Sequence, residues 1–323
     1  MKKTTLVIMS LILLLVLAAC GQTGEKTNNG SNTTAASSET DAQADQSAAD
    51  TAADASGEAA APRIASISIH VTSHLLALGI TPVGSVVGGG LQDFLPQTKE
   101  QLQSTKKLGT LAEPDMEAIL ALKPDVIYVD KGNSQDYIDD LMKIAPVEAF
   151  DLDEGTWRDT LRAIAKLVNK EQEAEQYISD YKAQEERVKA LIDAEIGENS
   201  KVMAIRVTEK ELRVFGMKRP MGPLLFEDLQ LTPAAGVDQI NKAYEAISQE
   251  VLPDYDADAI FVVVNSEEKA QQLFDQLEEN PIWQGLKAVK NKHVYVVADQ
   301  PWLDYSSLGA KMALDEAEAM FGK

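Results

Sequence analysis

The sequence predicts an α/β protein: two lobes built on parallel sheets, joined by one long helix. Three observations carry that prediction. Short apolar runs rich in β-branched residues alternate with longer helical patterns, the mark of parallel strands joined by crossover helices. A segment from Trp157 to Ile192, free of Gly and Pro, separates two such alternating halves. The halves also repeat each other's corners, as set out below.

The chain opens on Lys2 and Lys3, followed by an apolar run from Leu6 to Leu17. That run is shorter than the roughly 20 residues needed to span a bilayer and fits the h-region of a secretory signal. It closes on Leu17-Ala18-Ala19-Cys20, small residues before a cysteine, which is the lipobox pattern of bacterial lipoproteins. Residues 1–19 are therefore expected to be a lipoprotein signal peptide, with Cys20 as the lipidation site and first mature residue. Cys20 is the only cysteine, which excludes an intramolecular disulfide and a thiolate metal site. Two or three acyl chains anchor a protein stably where one gives only marginal binding.

Residues 20–61 read as a disordered tether. From Gly21 to Ala61 there is no Leu, Ile, Val or aromatic residue, so the stretch cannot bury enough apolar surface to offset its ordering entropy. As a flexible coil its mean reach is on the order of 35 Å. A tether of that length suits a protein held outside the cell membrane of a Gram-positive-type bacterium, clear of wall polymer.

The body then divides into an N-terminal lobe (62–156), a connecting helix (157–195) and a C-terminal lobe (196–323). Strands are expected at Ile64–Ile69, Val83–Val87, Val126–Val129 and Val147–Phe150 in the first half. In the second half they are expected at Val202–Val207, Leu212–Phe215, Ile260–Val264 and Val294–Val297. Helices read at 73–79, 116–122, 134–143, 222–229, 267–277 and 307–321. In the connector, Ala174, Tyr177, Ile178, Tyr181, Val188, Leu191 and Ile192 recur at helical intervals. If continuous it is about 50 Å long at 1.5 Å per residue; a break near Asn169 would divide it.

The internal echo is specific. Asp115-Met116-Glu117, then a helix, Pro124-Asp125 and a strand, matches Ser248-Gln249-Glu250, then a helix, Ala257-Asp258 and a strand. Gly79-Ile80-Thr81-Pro82 likewise echoes Gln230-Leu231-Thr232-Pro233. Two similar lobes facing each other across a cleft is the economical reading.

The chain carries a formal charge of −21, and setting aside three lysines and seven carboxylates in its first 61 residues leaves −17 on the rest. A body this acidic argues against nucleic acid, whose phosphates demand a basic footprint. Against that field, Lys201 to Arg219 holds six basic residues and only Glu209 and Glu211.

Several separated motifs, in order along the body, carry a family resemblance. They are Pro62-Arg63-Ile64 through Leu75-Leu76-Ala77-Leu78-Gly79-Ile80-Thr81-Pro82-Val83-Gly84, and Leu108-Gly109 through Glu113-Pro114-Asp115-Met116-Glu117. Leu122-Lys123-Pro124-Asp125-Val126-Ile127, Ile247-Ser248-Gln249-Glu250-Val251-Leu252, and Asn280-Pro281-Ile282-Trp283 through His293-Val294-Tyr295 complete the set. The body resembles the ferric-siderophore and cobalamin class of periplasmic-binding proteins of ABC transporters. The resemblance implies two Rossmann-like lobes on one backbone helix, little hinge motion, and delivery of ligand to a membrane permease driven by a cytoplasmic ATPase. It also implies that one glutamate on each lobe meets arginines of the permease. By motif position these are Glu117 and Glu250, each in a first helical turn where a carboxylate is favoured. The expected protein is an iron-transport receptor, a monomer, with no cofactor of its own and a ferric siderophore as ligand. Haem and cobalamin are the alternatives within the same class.

In open α/β sheets ligands bind beyond the carboxyl ends of the strands. Candidate walls are His70 to His74, Gly88-Gly89-Gly90, Lys131-Gly132-Asn133 and Trp157-Arg158 in the first lobe. In the second they are Arg206, Arg213, Phe215 to Pro220 with Lys218 and Arg219, Asn265, and Trp302 with Tyr305. Guanidinium forks suit the oxygens of anionic ferric chelates. Lys201, Lys210, Lys106 and Lys107 read as solvated surface cations. Trp302 and Tyr305 either stack on the ligand or pack the lobes. The glycine run lacks the Lys-Ser of a phosphate loop and reads as a turn.

Other functions fit less well. A zinc receptor wants several imidazole or thiolate ligands, whereas the chain has three histidines, and His293 precedes a strand at the wrong end of the sheet. Ser73 near His70 lacks an evident oriented acid for nucleophilic catalysis, so no enzyme is expected. Asp151, Asp153 and Glu154 read as a helix entry before Trp157 rather than a calcium loop.

Overall fold

The structure, a computed structural model, describes residues 62–88 and 92–323. The expected signal peptide, Cys20 and the tether lie outside the described residues, as do Gly89 and Gly90 of the glycine run.

The first sheet contains β1 (Ile64–Ile67), β2 (Gly84–Val87), β3 (Lys106–Thr110), β4 (Val126–Asp130) and β5 (Val147–Phe150). Its order is β3-β2-β1-β4-β5 and every pair is parallel. Helices α1 (Ile69–Ala77), α2 (Met116–Leu122) and α3 (Ile138–Leu141) connect the strands. Every residue of β1 is buried, as a central parallel strand requires. β3 escapes the sequence pattern because it is an edge strand whose Lys106 and Lys107 are exposed and leave no apolar run.

The second sheet contains β6 (Lys201–Val207), β7 (Leu212–Phe215), β8 (Thr232–Pro233), β9 (Tyr244–Ile247), β10 (Ala259–Val264) and β11 (Val294–Val297). Its order is β11-β10-β6-β7-β9, with β8 paired to β6. β11, β10, β6 and β8 are parallel, but β7 pairs antiparallel with both β6 and β9. This sheet is therefore mixed, where the sequence suggested a parallel one. The turn Thr208 to Glu211 is too short for a parallel crossover, which takes a dozen or more residues. The Thr208 hydroxyl closes it, donating to the Glu211 carbonyl at 3.0 Å and accepting from the Glu211 amide at 3.1 Å.

The connector is two helices, α4 (Trp157–Leu167) and α5 (Glu171–Ile196). The break falls at Asn169, whose φ is +55°, a conformation that asparagine tolerates better than most residues. Thr156 starts α4 through a capping box with Asp159. On α5 one face is buried through Ala174, Tyr181, Val188 and Ile192, the interval predicted from the sequence. The rest of the second half adds a π-helical turn (Pro223–Asp228) and 3₁₀ segments Val237–Gln239 and Gln249–Tyr255. It continues with α6 (Glu268–Glu279), α7 (Pro281–Gly285), α8 (Lys287–Lys290), α9 (Asp299–Trp302) and α10 (Ser307–Phe321).

The internal echo has a physical basis. Asp125 Oδ2 accepts from the Arg63 amide at 2.8 Å, and Asp258 Oδ2 accepts from the Lys201 amide at 2.8 Å. The residues before these corners, Lys123 and Asp256, both adopt left-handed backbone with φ of 49° and 45°. After the other repeated corner, Val83 donates to Ile64 O at 2.9 Å and Ala234 donates to Val202 O at 2.8 Å. The same two clamps thus fix where the first strand of each lobe begins.

Candidate functional site

Helix α1, the loop after β5, the start of α4, the β7-to-π-helix segment and the α9–α10 region converge on one cavity of about 480 Å³. Its wall is largely apolar or aromatic, with Leu152, Trp157, Met217, Leu224, Trp302 and Tyr305. Among sequence candidates, His74, Trp157, Lys218, Arg219, Trp302 and Tyr305 line it. His70 stands directly behind, its ring stacked on Tyr305 at 3.8 Å.

Charges at the cavity are mixed rather than uniformly basic. Arg158, Lys218 and Arg219 line it together with Asp153, Glu227, Asp228 and Asp304. The floor carries the densest network. Asp228 accepts from Arg158 Nη1 at 2.7 Å, from the Tyr181 hydroxyl at 2.7 Å and from Trp157 Nε1 at 3.4 Å. Arg158 Nη2 also reaches Glu185 Oε2 at 2.9 Å, and its guanidinium lies 4.5 Å from the Trp157 ring centre. Burial, followed by repulsion from Asp228, pushes Glu185 up to about 6 and the Tyr181 hydroxyl well above its usual range.

At the rim, Arg219 Nε donates to Asp153 Oδ1 at 2.9 Å, and Nη2 donates to the same oxygen. The Arg219 guanidinium lies 4.1 Å from the Tyr305 ring centre, and burial pushes the Tyr305 hydroxyl up to about 12. Two buried donors, Arg219 Nη1 and Trp302 Nε1, have no partner among the described residues. Both belong to residues lining the cavity, and buried donors of this kind want an acceptor.

The expected basic cluster of Lys201 to Arg219 is not assembled in one place. Lys201 sits at the amino end of β6 and pairs with Asp256 at 2.7 Å, while Lys210 is 80% exposed on the turn. Arg206 and Arg213 lie directly opposite each other on β6 and β7, outside the cavity lining. Arg206 Nε donates to Asn265 Oδ1 at 2.6 Å. Arg213 donates to Glu211 at 2.6 Å and stacks on Tyr244 at 4.1 Å. Burial and the facing Arg213 depress the Arg206 guanidinium. They form a second cationic point at the carboxyl end of β6.

An acid does orient His70, contrary to the sequence reading. Asp304 Oδ1 lies 2.9 Å from His70 Nδ1, and Asp304 Oδ2 accepts from Ser73 at 3.3 Å. The serine is fully buried and bonds the acid, not the imidazole, so the geometry is no nucleophilic relay. Asp304 is 231 residues from Ser73, and only the fold reveals the pair. Asp228 was equally invisible, being 70 residues from Arg158. Asp153 was read as a helix entry; Thr156 and Asp159 fill that role, which frees Asp153 for Arg219. Among the described residues no group of three or more His, Cys, Asp and Glu is arranged to hold a metal ion.

A family model described as periplasmic binding protein matches residues 64–301, a span holding both sheets. The chain belongs to that family. This binding protein is 28% identical over 334 residues to the probable siderophore-binding lipoprotein YfiY of Bacillus subtilis (strain 168), covering 100% of this chain and 99% of that one. It is 27% identical to the iron-uptake system-binding protein of the same organism, covering 99% and 98%. Among solved structures, the triscatecholate siderophore binding protein FeuA from B. subtilis, complexed with ferri-bacillibactin, superimposes with a TM-score of 0.63 at 27% identity, covering 79% of this chain and 93% of that one. Staphylococcus aureus SirA complexed with staphyloferrin B gives 0.72 at 24% identity, covering 81% and 93%, and shares the fold.

Proposed function

We propose that this periplasmic binding protein is the extracytoplasmic substrate-binding component of an iron-siderophore ABC importer. It captures a ferric chelate between its lobes and hands it to a membrane permease driven by a cytoplasmic ATPase. The observation that carries the reading is the inter-lobe cavity, with aromatic walls, two orphan donors and cations at its rim. Its volume of about 480 Å³ lies within the range of small-molecule sites. Curated relatives named for siderophore binding and iron uptake match it end to end, which supports the same cargo.

In this reading Trp157 and Tyr305 border the ligand, Trp302, 1% exposed and packed on Phe261, backs the wall, and Lys218 and Arg219 supply charge. His70 holds Tyr305 in place and His74 forms wall. Arg206 and Arg213 reach whatever part of the chelate extends past the cavity. The protein works as a monomeric receptor with no catalytic step, anchored through Cys20 to the outer face of a Gram-positive-type cell membrane. Tryptophan fluorescence should report binding, because Trp157 and Trp302 both line the cavity. In a panel of ferric catecholate, hydroxamate and citrate-type chelates with haem and cyanocobalamin, at least one ferric siderophore is expected to saturate. A Soret band with haem, and no response to any chelate, would move the assignment to haem.

Glu117 and Glu250 are the proposed permease contacts. Both are exposed and begin segments that leave the carboxyl ends of β3 and β9. Each has an exposed apolar neighbour, Leu120 at 60% and Val251 at 37%. A hydrogen bond from Ser248 holds the Glu250 carboxyl below its usual range, so it stays charged. Replacing both glutamates by arginine is expected to leave chelate affinity intact and abolish uptake into cells. Normal uptake would remove the docking assignment.

A further inference from the structure

Asp153 and Arg219 meet at the rim of the cavity, one from the β5–α4 loop and one from the segment after β7. Their environments differ sharply. The Arg219 side chain is 23% exposed and that of Asp153 is 72% exposed. Arg219 is clamped on its other side by a stack, with Tyr305 at 4.1 Å and then His70 at 3.8 Å from Tyr305. Asp304 in turn fixes His70 at 2.9 Å. The guanidinium is thus held in one plane, ready for a ligand.

Its present partner serves it incompletely. Nε and Nη2 share a single carboxylate oxygen, and Nη1 is buried with no partner among the described residues. A guanidinium fork matches two parallel acceptor oxygens, and Asp153 supplies one. Two of the other three lining carboxylates are committed elsewhere. Asp228 is saturated by Arg158, Tyr181 and Trp157, and Asp304 holds His70 and Ser73.

We propose that Asp153 is a specificity-determining residue that acts as a built-in competitor for Arg219. In the empty receptor it occupies the guanidinium; the anionic oxygens of an entering chelate displace it and satisfy Nη1 as well. The displaced carboxylate remains at the rim as an unpaired negative charge. A highly anionic chelate therefore binds against that charge, whereas a neutral chelate leaves the ion pair in place. Asp153 tunes which charge of ferric chelate the cavity accepts. This inference rests on the ferric-chelate reading of the cavity.

The test compares a trianionic ferric tris-catecholate with a neutral ferric trihydroxamate by tryptophan-fluorescence titration. Asp153→Asn keeps the shape and removes the charge. It is expected to tighten the tris-catecholate about three- to five-fold, the scale of an exposed ion pair, and to shift the trihydroxamate less than two-fold. The gain should shrink in high salt. In an Arg219→Ala background, Asp153→Asn should have little further effect, since the cycle isolates the pair. Equal shifts for the two chelates, or an undiminished gain without Arg219, overturn the proposal while leaving the receptor reading standing. Failure of the wild-type protein to bind any ferric chelate overturns both.

Discussion

Arg158 and Arg219 line the same cavity, one at its floor and one at its rim, and they are held in opposite ways. Arg158 is shared between Asp228 at 2.7 Å and Glu185 at 2.9 Å, both carboxylates at most 12% exposed. Its network ties together α4, α5 and the π-helical turn. Arg219 has one carboxylate partner, 72% exposed, and a buried Nη1 left over. The difference separates two uses of a cation. A buried charge that serves the fold must be fully compensated, because an unpaired one costs several kcal/mol. A charge that serves a ligand can be left under-satisfied, provided that its neighbours hold it in place.

The largest effect should come from breaking the floor. Asp228→Ala leaves Arg158 with Glu185 alone and the buried Tyr181 hydroxyl without its acceptor. A buried group that loses its hydrogen-bond partner costs about 1–3 kcal/mol, and two are affected here, so urea unfolding should show a destabilisation of about 2–4 kcal/mol. The matching change at the rim, Asp153→Ala, should cost less than about 1 kcal/mol, as exposed pairs do. Similar losses at both sites would mean that floor and rim are not different kinds of site.

How much of this was legible in the sequence depends on the distance between partners. The parallel first sheet, the connector and its break at Asn169, and the repeated corners follow from local pattern: strand runs, helical intervals, and turn residues at matched spacing. β3 and β9 were missed because their exposed edge residues carry no apolar run. The antiparallel β7 was seen as a strand but not as a reversal, although the short turn before it was there to be read. Of the residues that line the cavity, Trp157, Lys218, Arg219, Trp302 and Tyr305 were legible because they follow strands or cluster in one loop. Their carboxylate partners were not, since Asp228, Asp304 and Asp153 lie 70, 234 and 66 residues from Arg158, His70 and Arg219. The basic run from Lys201 to Arg219 looked like one patch because sequence adjacency hides a hairpin. Its turn and register send Lys201, Arg206 with Arg213, and Arg219 to three different places.

The two histidines of α1 repeat the contrast between floor and rim, and pH can test the buried one. His70 faces the carboxylate of Asp304, whereas His74, one turn later, is buried against Ser307. The Ser307 hydroxyl lies 2.9 Å from His74 Nδ1 and the Ser307 amide donates to that same nitrogen at 3.4 Å. Nδ1 is thus an acceptor and the proton of the neutral ring sits on Nε2. Burial pushes His74 down to about 3, outweighing the opposing pull of Asp304, with His70 adding to the depression. The unfolded chain, with a histidine near 6.5, binds this proton first. The resulting stability is therefore fully present above pH 6.5 and is lost as pH falls from 6.5 toward 3. At pH 5 the loss amounts to about 2 kcal/mol, at 1.36 kcal/mol per pH unit. Glu185, whose folded carboxyl is raised to about 6, works in the opposite direction, gaining stability as pH falls through 6. The His74 contribution is therefore isolated by comparing wild type with His74→Asn, which retains an acceptor but does not titrate. Between pH 8 and pH 5 the wild type should lose about 2 kcal/mol more unfolding free energy than the variant. Parallel pH profiles would mean that His74 takes up its proton in the folded protein as readily as in the unfolded chain, and that burial does not keep the ring neutral.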